Sequence, residues 1–244
     1  HNETGAPPAT AAFEAVHLEQ LITVVGAGSA REETGAHAAD ITVRGVTLTG
    51  AALTTLSPHG LPSDGGGDWA VARRGAVHIS GTERFTIENC VFDRIDGNGV
   101  MISGFARNTT VRGNEFRYIG ENGVVSWGHT SDFPDVVRAV PIPKTQGPDA
   151  RDGNHPQGTL LESNLFHEIG HFQKQVSCYF QAQSQQTTLR NNICYNGPRA
   201  GINFNDGMGG GNLLKGNLIF NMASDSQPSY SSNCTLRHRS KTIL

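Results

Sequence analysis

The sequence has no apolar run close to the roughly 18 residues that a membrane-spanning helix needs, so it predicts no membrane span. It has no basic run ahead of its last residues and a net charge of −3, which argues against nucleic acid as a partner. Only 17% of its residues are charged, too few for a disordered polyelectrolyte. Its 4 cysteines show no Cys-x-x-Cys spacing, which argues against zinc and thioredoxin-like sites. We expect no metal and no other cofactor.

Three of the cysteines, Cys90, Cys178 and Cys194, fall within strand patterns, and for these we expect buried, free thiols. Glycosylation sequons begin at Asn108 and Asn233. The chain starts at His1 without a visible signal peptide. We therefore interpret it as a processed or partial chain, and we expect an extracellular, secreted monomer.

Glycine and asparagine are frequent, with 30 and 17 residues. Both tolerate a positive φ, which tight turns require. Hydrophobic residues make up 36% of the chain, below the usual share. This composition predicts short strands joined by many turns.

An internal repeat of about 25 residues runs through the chain. The aligned segments are FTIENCVFDRI (85–95), TTVRGNEFRYI (109–119), GTLLESNLFHEI (158–169), TTLRNNICYNG (187–197) and NLLKGNLIFNM (212–222). They give one apolar column of Ile87, Val111, Leu161, Leu189 and Leu214, and a second of Phe92, Phe116, Phe166, Cys194 and Ile219. Between these lies a column of Cys90, Asn114, Asn164, Asn192 and Asn217. We expect its amides to hydrogen-bond from one repeat to the next.

A second strand with alternating apolar residues follows these turns, which predicts one buried face. These strands read GVMISGF (99–105), GVVSWGH (123–129), CYFQAQ (178–183) and GINFNDG (201–207). A repeat without helical periodicity excludes ankyrin and tetratricopeptide arrays, and the LxxLxL signature of leucine-rich repeats is absent.

We predict an all-β, right-handed parallel β-helix over residues 41–222, with about six coils and two long excursions through 51–75 and 130–157. Residues 1–40 are expected to form an N-terminal cap or the remnant of a preceding region. Residues 223–244 are polar and Ser-rich, and we expect an irregular, disordered tail there.

Four blocks carry a family resemblance: HGLPSDGGGDWAVARRGAVHISG (59–81), DGNGVMISGFARN (96–108), EIGHFQKQVSCYFQAQ (168–183) and GPRAGINFNDGMGGGNLLKGNLIFN (197–221). They look like the pectin-lyase-like right-handed β-helix proteins, and more narrowly like β-helix glycoside hydrolases of the α-L-fucosidase/xylanase type. The resemblance implies hydrolysis of a complex polysaccharide. Such relatives continue after the last strand with an acidic segment that contains His and Trp, where this chain has SDSQPSYSSNCT (224–235).

The outward residues of the second strands should form rows across the coils. One predicted row holds Met101, Val125, Tyr179 and Asn203, and the next holds Ser103, Trp127, Gln181 and Asn205. Such a face suits sugars, whose CH faces stack on rings and whose hydroxyls pair with amides. The predicted glycan-binding residues are Trp127, His129, Tyr179, Gln181, Gln183, Asn203 and Asn205. The alternative is that these outward side chains are merely solvated.

Asp206 is the first candidate for catalysis, because it follows Asn-Phe-Asn and precedes a glycine-rich stretch that lets a ligand approach the backbone. Its carboxylate could be the general acid or base of glycoside cleavage. Hydrolysis needs a second carboxylate about 5–10 Å away, and Asp152 is the first choice, ahead of Asp96 and Glu168. The alternative for Asp206, Asp152 and Asp96 is a turn residue.

His155 could contact a sugar hydroxyl, and Lys174 and Arg199 could bind a uronate or a sulfate; the alternative is an incidental histidine and solvated turn charges. The residues favour a glycoside hydrolase-like protein that acts on a polysaccharide through paired carboxylates. A non-catalytic glycan-binding or structural β-helix, as a truncated family member, is the alternative. A polysaccharide lyase or epimerase is disfavoured because the sequence has no close cluster of three or four acids.

Overall fold

A computed structural model describes residues 15–26, 37–57, 59, 71–128, 154–205 and 209–222. Within these ranges the regular structure consists of short β-strands without any helix. The strands are β1 (Ile22–Val25), β2 (Ala38–Ala39), β3 (Thr42–Arg44), β4 (Thr47–Thr49), β5 (Val77–Glu83), β6 (Thr86–Glu88), β7 (Val91–Ile95), β8 (Val100–Arg107), β9 (Thr110–Arg112), β10 (Glu115–Ile119), β11 (Val124–Trp127), β12 (Pro156–Gln157), β13 (Leu160–Glu162), β14 (Leu165–Ile169), β15 (Ser177–Ala182), β16 (Thr188–Arg190), β17 (Ile193–Gly197), β18 (Ala200–Phe204), β19 (Leu213–Lys215) and β20 (Leu218–Met222). No helix in this part of the chain could therefore cross a membrane.

The strands form three parallel sheets. Sheet A has the order β1-β5-β8-β11-β15-β18, with β2 paired to β5 and β12 to β8. Sheet B has the order β3-β6-β9-β13-β16-β19, and sheet C the order β4-β7-β10-β14-β17-β20. From β3 onward the chain visits sheets B, C and A in turn, so each strand pairs with the equivalent strand of the next repeat. This is the arrangement of a parallel β-helix, as the repeat predicts.

Both predicted apolar columns are confirmed. In sheet B, Val111 pairs with Ile87. In sheet C, Phe116 pairs with Phe92 and Phe166, and the three rings stack with centroids 4.4 and 4.6 Å apart. These side chains are buried in one core that runs inside the three sheets. A repeat of this size buries its apolar face only against its neighbours, so the columns stabilise the stack.

The predicted asparagine ladder is also confirmed. Asn114 Nδ2 donates to Asn164 Oδ1 (3.0 Å), Asn164 Nδ2 to Asn192 Oδ1 (2.9 Å), and Asn192 Nδ2 to Asn217 Oδ1 (2.9 Å). Each of these Oδ1 atoms also accepts the backbone N–H of the preceding member of the column. The ladder begins at Cys90, whose backbone N–H donates to Asn114 Oδ1 at 2.9 Å.

A second ladder, which the repeat alignment did not predict, lies at the corner between sheets C and A. Asn122 donates its backbone N–H and its Nδ2 to Asn98 Oδ1 (3.1 and 2.9 Å), and Ser177 N donates to Asn122 Oδ1 (2.9 Å). Asn98 Nδ2 in turn donates to the carbonyls of Ala72 and Arg74. This ladder fixes the approach of the chain to sheet A.

Left-handed residues mark the turns at a spacing of five. One set is Asn108, Gly113 and Tyr118, with φ of 55°, 63° and 53°. Equivalent sets occur at positions 40, 45 and 50; 84, 89 and 94; 158, 163 and 168; 186, 191 and 196; and 211, 216 and 221. Most of these positions hold Gly or Asn, which is the role that their abundance predicted.

The prediction of free thiols is wrong for two cysteines. Cys178 of β15 and Cys194 of β17 form a disulfide that links sheet A to sheet C through the core, whereas Cys90 is buried and free. Strand patterns place a cysteine on a face but do not say which other cysteine lies opposite, since that depends on how the sheets meet. The fourth cysteine of the sequence, Cys234, lies outside the described residues.

Replacing Asn164 by Leu should lower the free energy of unfolding by about 3 kcal/mol. The substitution removes the acceptor for two N–H groups of Asn114, and buried donors that lose their partner cost about 1–3 kcal/mol each. Asn217→Leu at the ladder end should cost less, because Asn217 is only half-buried and has one ladder neighbour. Chemical denaturation of both variants is the measurement, and equal losses would contradict the ladder as a source of stability.

Reducing the Cys178–Cys194 disulfide should lower the free energy of unfolding by about 3 kcal/mol, the usual effect for a closed loop of this length. Digestion with trypsin in the absence of reductant should yield peptides 175–190 and 191–199 joined by the disulfide. The double variant Cys178→Ala/Cys194→Ala is the control, because its melting temperature should not respond to reductant. A wild-type protein that is reduced by mass spectrometry but melts unchanged would contradict the prediction.

Candidate functional site

The candidate site lies on the outer face of sheet A, toward β18. Two rows of outward side chains cross this face. The first row is Thr23, His78, Met101, Val125, Phe180 and Asn203, and the second is Val25, Ser80, Ser103, Trp127, Ala182 and Asn205. Adjacent members of a row are about 4.8 Å apart, the spacing of paired strands.

The predicted rows are wrong by one residue in β15. Val124 pairs with Tyr179, and Ser126 pairs with Gln181, so both of these β15 side chains lie on the inner face. Phe180 and Ala182 take the outward places. A slip of one residue exchanges the two faces of a strand, because side chains alternate with a period of two.

Tyr179 and Gln181 brace the inside of sheet A. Tyr179 is 1% exposed, and its hydroxyl donates to Gln181 Oε1 at 2.9 Å. Gln181 Nε2 donates to Ser184 O at 2.9 Å. Burial raises the pKa of Tyr179 to about 12, so its hydroxyl stays protonated at neutral pH. These two residues, predicted to touch substrate, support the sheet from within.

The outer face carries its own apolar cluster, separate from the main core. Val71, Met101, Val125, Trp127, Phe180 and Ala182 are its members. Trp127 is 3% exposed, because Arg73 covers its ring with Cζ 3.6 Å from the ring centroid. Arg73 also donates to Ser103 Oγ (3.1 Å), Trp127 O (2.8 Å) and Gly128 O (3.2 Å). The Trp127 ring therefore holds a guanidinium group in place, with one face already covered.

Asn203 and Asn205 form the polar end of this face. Both side chains are buried, at 3% and 4% exposure, in β18 and directly after it. Among the described residues neither Nδ2 has a hydrogen-bond partner. A buried amide donor without an acceptor costs free energy, and such groups are rare in folded proteins. The pair thus holds two unsatisfied donors, about 10 Å from Trp127 at two strand spacings.

His155 and Gln183 lie at the neighbouring strand ends. Both residues approach Gly128, which directly follows β11, so closely that a side chain there would clash. A Cβ at Gly128 would lie 2.7 Å from His155 Cβ and would also meet Gln183 O. His155 Nε2 contacts the Gln185 side chain at 2.7 Å. Gln183 takes a left-handed φ of 51° at the end of β15. The fold thus brings Trp127, His155, Gln183, Asn203 and Asn205 to one end of sheet A.

Lys174 and Arg199 lie apart from this group, in the segments that join sheet C to sheet A. Lys174 is exposed, and its Nζ donates to Gly170 O (2.7 Å) and His171 O (3.2 Å), which ties down its own loop. Arg199 is half-buried just before β18. The structure does not bring either cation to the asparagine pair.

Three predicted residues, His129, Asp152 and Asp206, lie outside the described residues. Their neighbours in sequence are described: Gly128 precedes His129, Asn205 precedes Asp206, and Asn154 comes two residues after Asp152.

Two acids at the corner between sheets C and A have unusual surroundings. Glu121 is 1% exposed and accepts hydrogen bonds on Oε1 from Thr54 (2.8 Å) and Thr55 (3.1 Å). Burial raises its pKa, against the opposing effects of Thr54, His59 and Thr55. Burial also raises the pKa of Asp96. Sequence reasoning considered Asp96 and missed Glu121, although ENGV (121–124) aligns with GNGV (97–100) and so marks the same corner.

The structure shows no candidate metal site in the residues that it describes, which are 15–26, 37–57, 59, 71–128, 154–205 and 209–222. No three His, Cys, Asp or Glu side chains in these ranges are placed to hold a metal ion.

Comparison with known proteins supports the fold. No family model and no curated protein matches the chain. A solved structure of a glycoside hydrolase matches with a TM-score of 0.58 at 16% sequence identity, over 83% of this chain and 38% of that chain. This chain therefore spans well under half of that protein's length, and the likeness shows a shared fold.

Replacing Glu121 by Gln should raise the melting temperature at neutral pH and leave it unchanged in acid. A folded-state pKa above the ordinary value means that the folded state favours the neutral acid, so Glu121 costs stability as pH rises from about 4.3 through that pKa. Glutamine carries no charge and removes this loss. Melting curves between pH 4 and pH 8 are the measurement.

Glu115→Gln is the control of opposite sign, because the hydrogen bond from His167 lowers the pKa of Glu115. It should lower the melting temperature at neutral pH and lose that effect on acidification. A Glu121→Gln variant that follows the wild-type pH profile would contradict a buried, hard-to-ionise carboxyl.

Proposed function

We propose that this chain is a carbohydrate-active parallel β-helix whose site on the outer face of sheet A binds a polysaccharide and hydrolyses its glycosidic bonds. The observation that carries the proposal is the pair of buried amide donors, Asn203 and Asn205, that lack acceptors among the described residues. Sugar hydroxyl and ring oxygens are acceptors for such donors. Phe180, beside Asn203 in its row, is fully buried in the outer apolar cluster and forms the apolar floor next to the asparagine pair.

For the cleavage step we propose Asp206 and Asp152 as the paired carboxylates. Asp206 follows Asn205 directly in the sequence, and Asp152 comes shortly before His155, which packs against Gly128. One carboxyl group protonates the leaving oxygen, and the other acts as nucleophile or activates a water molecule. The solved structure that shares the fold is itself a glycoside hydrolase.

The finer features of the fold and setting belong to the same proposal. A right-handed winding of about six coils is supported by the rule that parallel crossovers are almost always right-handed. A secreted, extracellular location is supported by the Cys178–Cys194 disulfide, since disulfides persist in oxidising compartments, and a monomeric state belongs to the same proposal. The exposed sequon residue Asn108 supports the same location.

A non-catalytic glycan-binding β-helix is the second candidate. It is favoured by the segment SDSQPSYSSNCT (224–235), which stands where similar glycoside hydrolases have an acidic segment. The two candidates share the asparagine pair and differ in the two aspartates, so separate binding and cleavage assays discriminate between them.

Asn203→Leu and Asn205→Leu should each weaken glycan binding about tenfold without loss of stability. Each removes a donor that a bound sugar would pair, worth about 1–3 kcal/mol in affinity, while the free protein loses only an unsatisfied buried amide. Titration calorimetry with fucosylated, xylan and uronate oligosaccharides measures the affinity. Gln20→Leu, ahead of the first strand of sheet A, is the matched amide control. Unchanged affinity in both asparagine variants would remove this face from the proposal.

Asp206→Asn and Asp152→Asn should abolish release of reducing ends and retain binding. The same assay read by ultraviolet absorbance separates the chemistries, because a lyase creates an absorbing unsaturated uronate and a hydrolase does not. Wild-type protein that binds glycans but never cleaves them would leave the non-catalytic candidate. Cleavage that persists in Asp206→Asn would exclude that residue from the mechanism.

A further inference from the structure

Tyr118 stands out among the left-handed turn residues. It lies near the end of β10 with φ of 53°, in a column whose other members are Gly50, Arg94, Glu168, Asn196 and Asn221. A bulky aromatic residue is a genuine outlier in this conformation, whereas Gly and Asn adopt it readily. Backbone strain of this kind clusters at binding sites, because the surrounding fold holds the residue there for a purpose.

The Tyr118 ring is half exposed, and neither neighbouring histidine ring stacks parallel on it. Tyr118 is 48% exposed and lies 5.9 Å from His171 and 6.3 Å from His167, tilted by 40° and 66° to their rings. On the same sheet, His167, Tyr195 and Phe220 stack with interplanar angles of 8° and 9°, so these rings cover each other's faces. Tyr118 is not part of this stack, so its exposed ring is available to an outside ring, as is Phe220 at the end of the stack, which is 42% exposed.

A second exposed ring lies in the loop that is hydrogen-bonded to the same strand end. Phe172 is 52% exposed, and its backbone N–H donates to Gly120 O at 3.0 Å. His171 N donates to Ile119 O at 3.2 Å, so the loop is fastened to the strand end that carries Tyr118. Gly120 leaves room for this ring, since a Cβ there would lie 2.7 Å from Phe172 Cδ2. The two rings are thus placed by backbone contacts rather than by packing on each other.

Polar groups continue the row from Tyr118 along the coils. Glu168, Asn196 and Asn221 occupy the same column, and each amide donates to the preceding member. At the spacing of paired strands, the row extends about 14 Å beyond Tyr118. Aromatic faces followed by amide and carboxyl oxygens match a hydroxylated ring compound better than an apolar protein surface.

We infer that Tyr118 and Phe172, with the row from Glu168 to Asn221, form a second glycan-binding surface that stacks a neutral pyranose ring. It lies on the sheet C side of the corner, whereas the candidate site lies on the outer face of sheet A. The inference rests on the proposed carbohydrate function. It adds a surface that holds a polysaccharide chain outside the candidate site.

Tyr118→Asn tests the inference because it separates binding from stability. The variant should bind soluble xylan and fucosylated oligosaccharides about tenfold more weakly, since it loses a stacking ring. Its melting temperature should stay equal or rise by about 2–4 °C, because Asn tolerates the left-handed conformation. Arg94→Asn, the same change in the same column, is the matched control and should bind as the wild type. Addition of glycan should also shift the backbone amide resonances of His171 and Phe172.

Each of the following results either supports or overturns the second glycan-binding surface. A Tyr118→Asn protein that melts lower and binds equally well assigns Tyr118 a structural role and overturns the inference. Absence of glycan-induced shifts at His171 and Phe172 overturns it as well. If the Asn203 and Asn205 variants lose binding while Tyr118→Asn does not, the candidate site stands and the second surface falls. If only Tyr118→Asn loses binding, the second surface stands and the proposed site on sheet A falls.

Discussion

The structure depends on the hydrogen bonds that buried amide side chains make between successive coils. Within the ladder, each Oδ1 that accepts from the preceding Asn side chain also accepts the backbone N–H of that residue. An amide placed inside the core without these partners would cost a large share of the stability of a domain. The ladder therefore permits one register between coils, and this register aligns the apolar columns, the left-handed turns and the outward rows.

Sheets B and C could be predicted from the sequence because their strands recur at a constant offset from the ladder. This offset alone places Ile87, Val111 and Leu161 in one buried column. Sheet A was harder, since the segment before each of its strands varies in length. The loop that carries Phe172 precedes β15, and both faces of β15 are buried and carry an aromatic residue, so alternation did not show which face is inside. The result was the slip of one residue that exchanged Tyr179 and Phe180.

The part of the candidate site that local alternation predicts most directly is the asparagine pair. Asn203 lies in β18 and Asn205 directly follows it, so the period of two placed both on the outer face. The position of Arg73 over Trp127 depends on a segment that joins two distant parts of the chain, and no local pattern carries this information. The Cys178–Cys194 bond and the burial of Glu121 likewise depend on how corners and sheets meet in three dimensions.

The residues most informative about a binding site are those that depart from the pattern that the other coils share. Asn114, Asn164 and Asn192 show that this fold readily pairs its buried amides, so the unpaired donors of Asn203 and Asn205 are not a general feature of its coils. Tyr118 is the aromatic member of a column of left-handed residues whose other described members are Gly50, Arg94, Glu168, Asn196 and Asn221. An unsatisfied buried donor and an aromatic residue in the left-handed conformation each carry a cost in free energy. Such a cost is tolerated where a ligand supplies the missing acceptor or covers the exposed ring, and on this ground we propose a sugar ligand at both places.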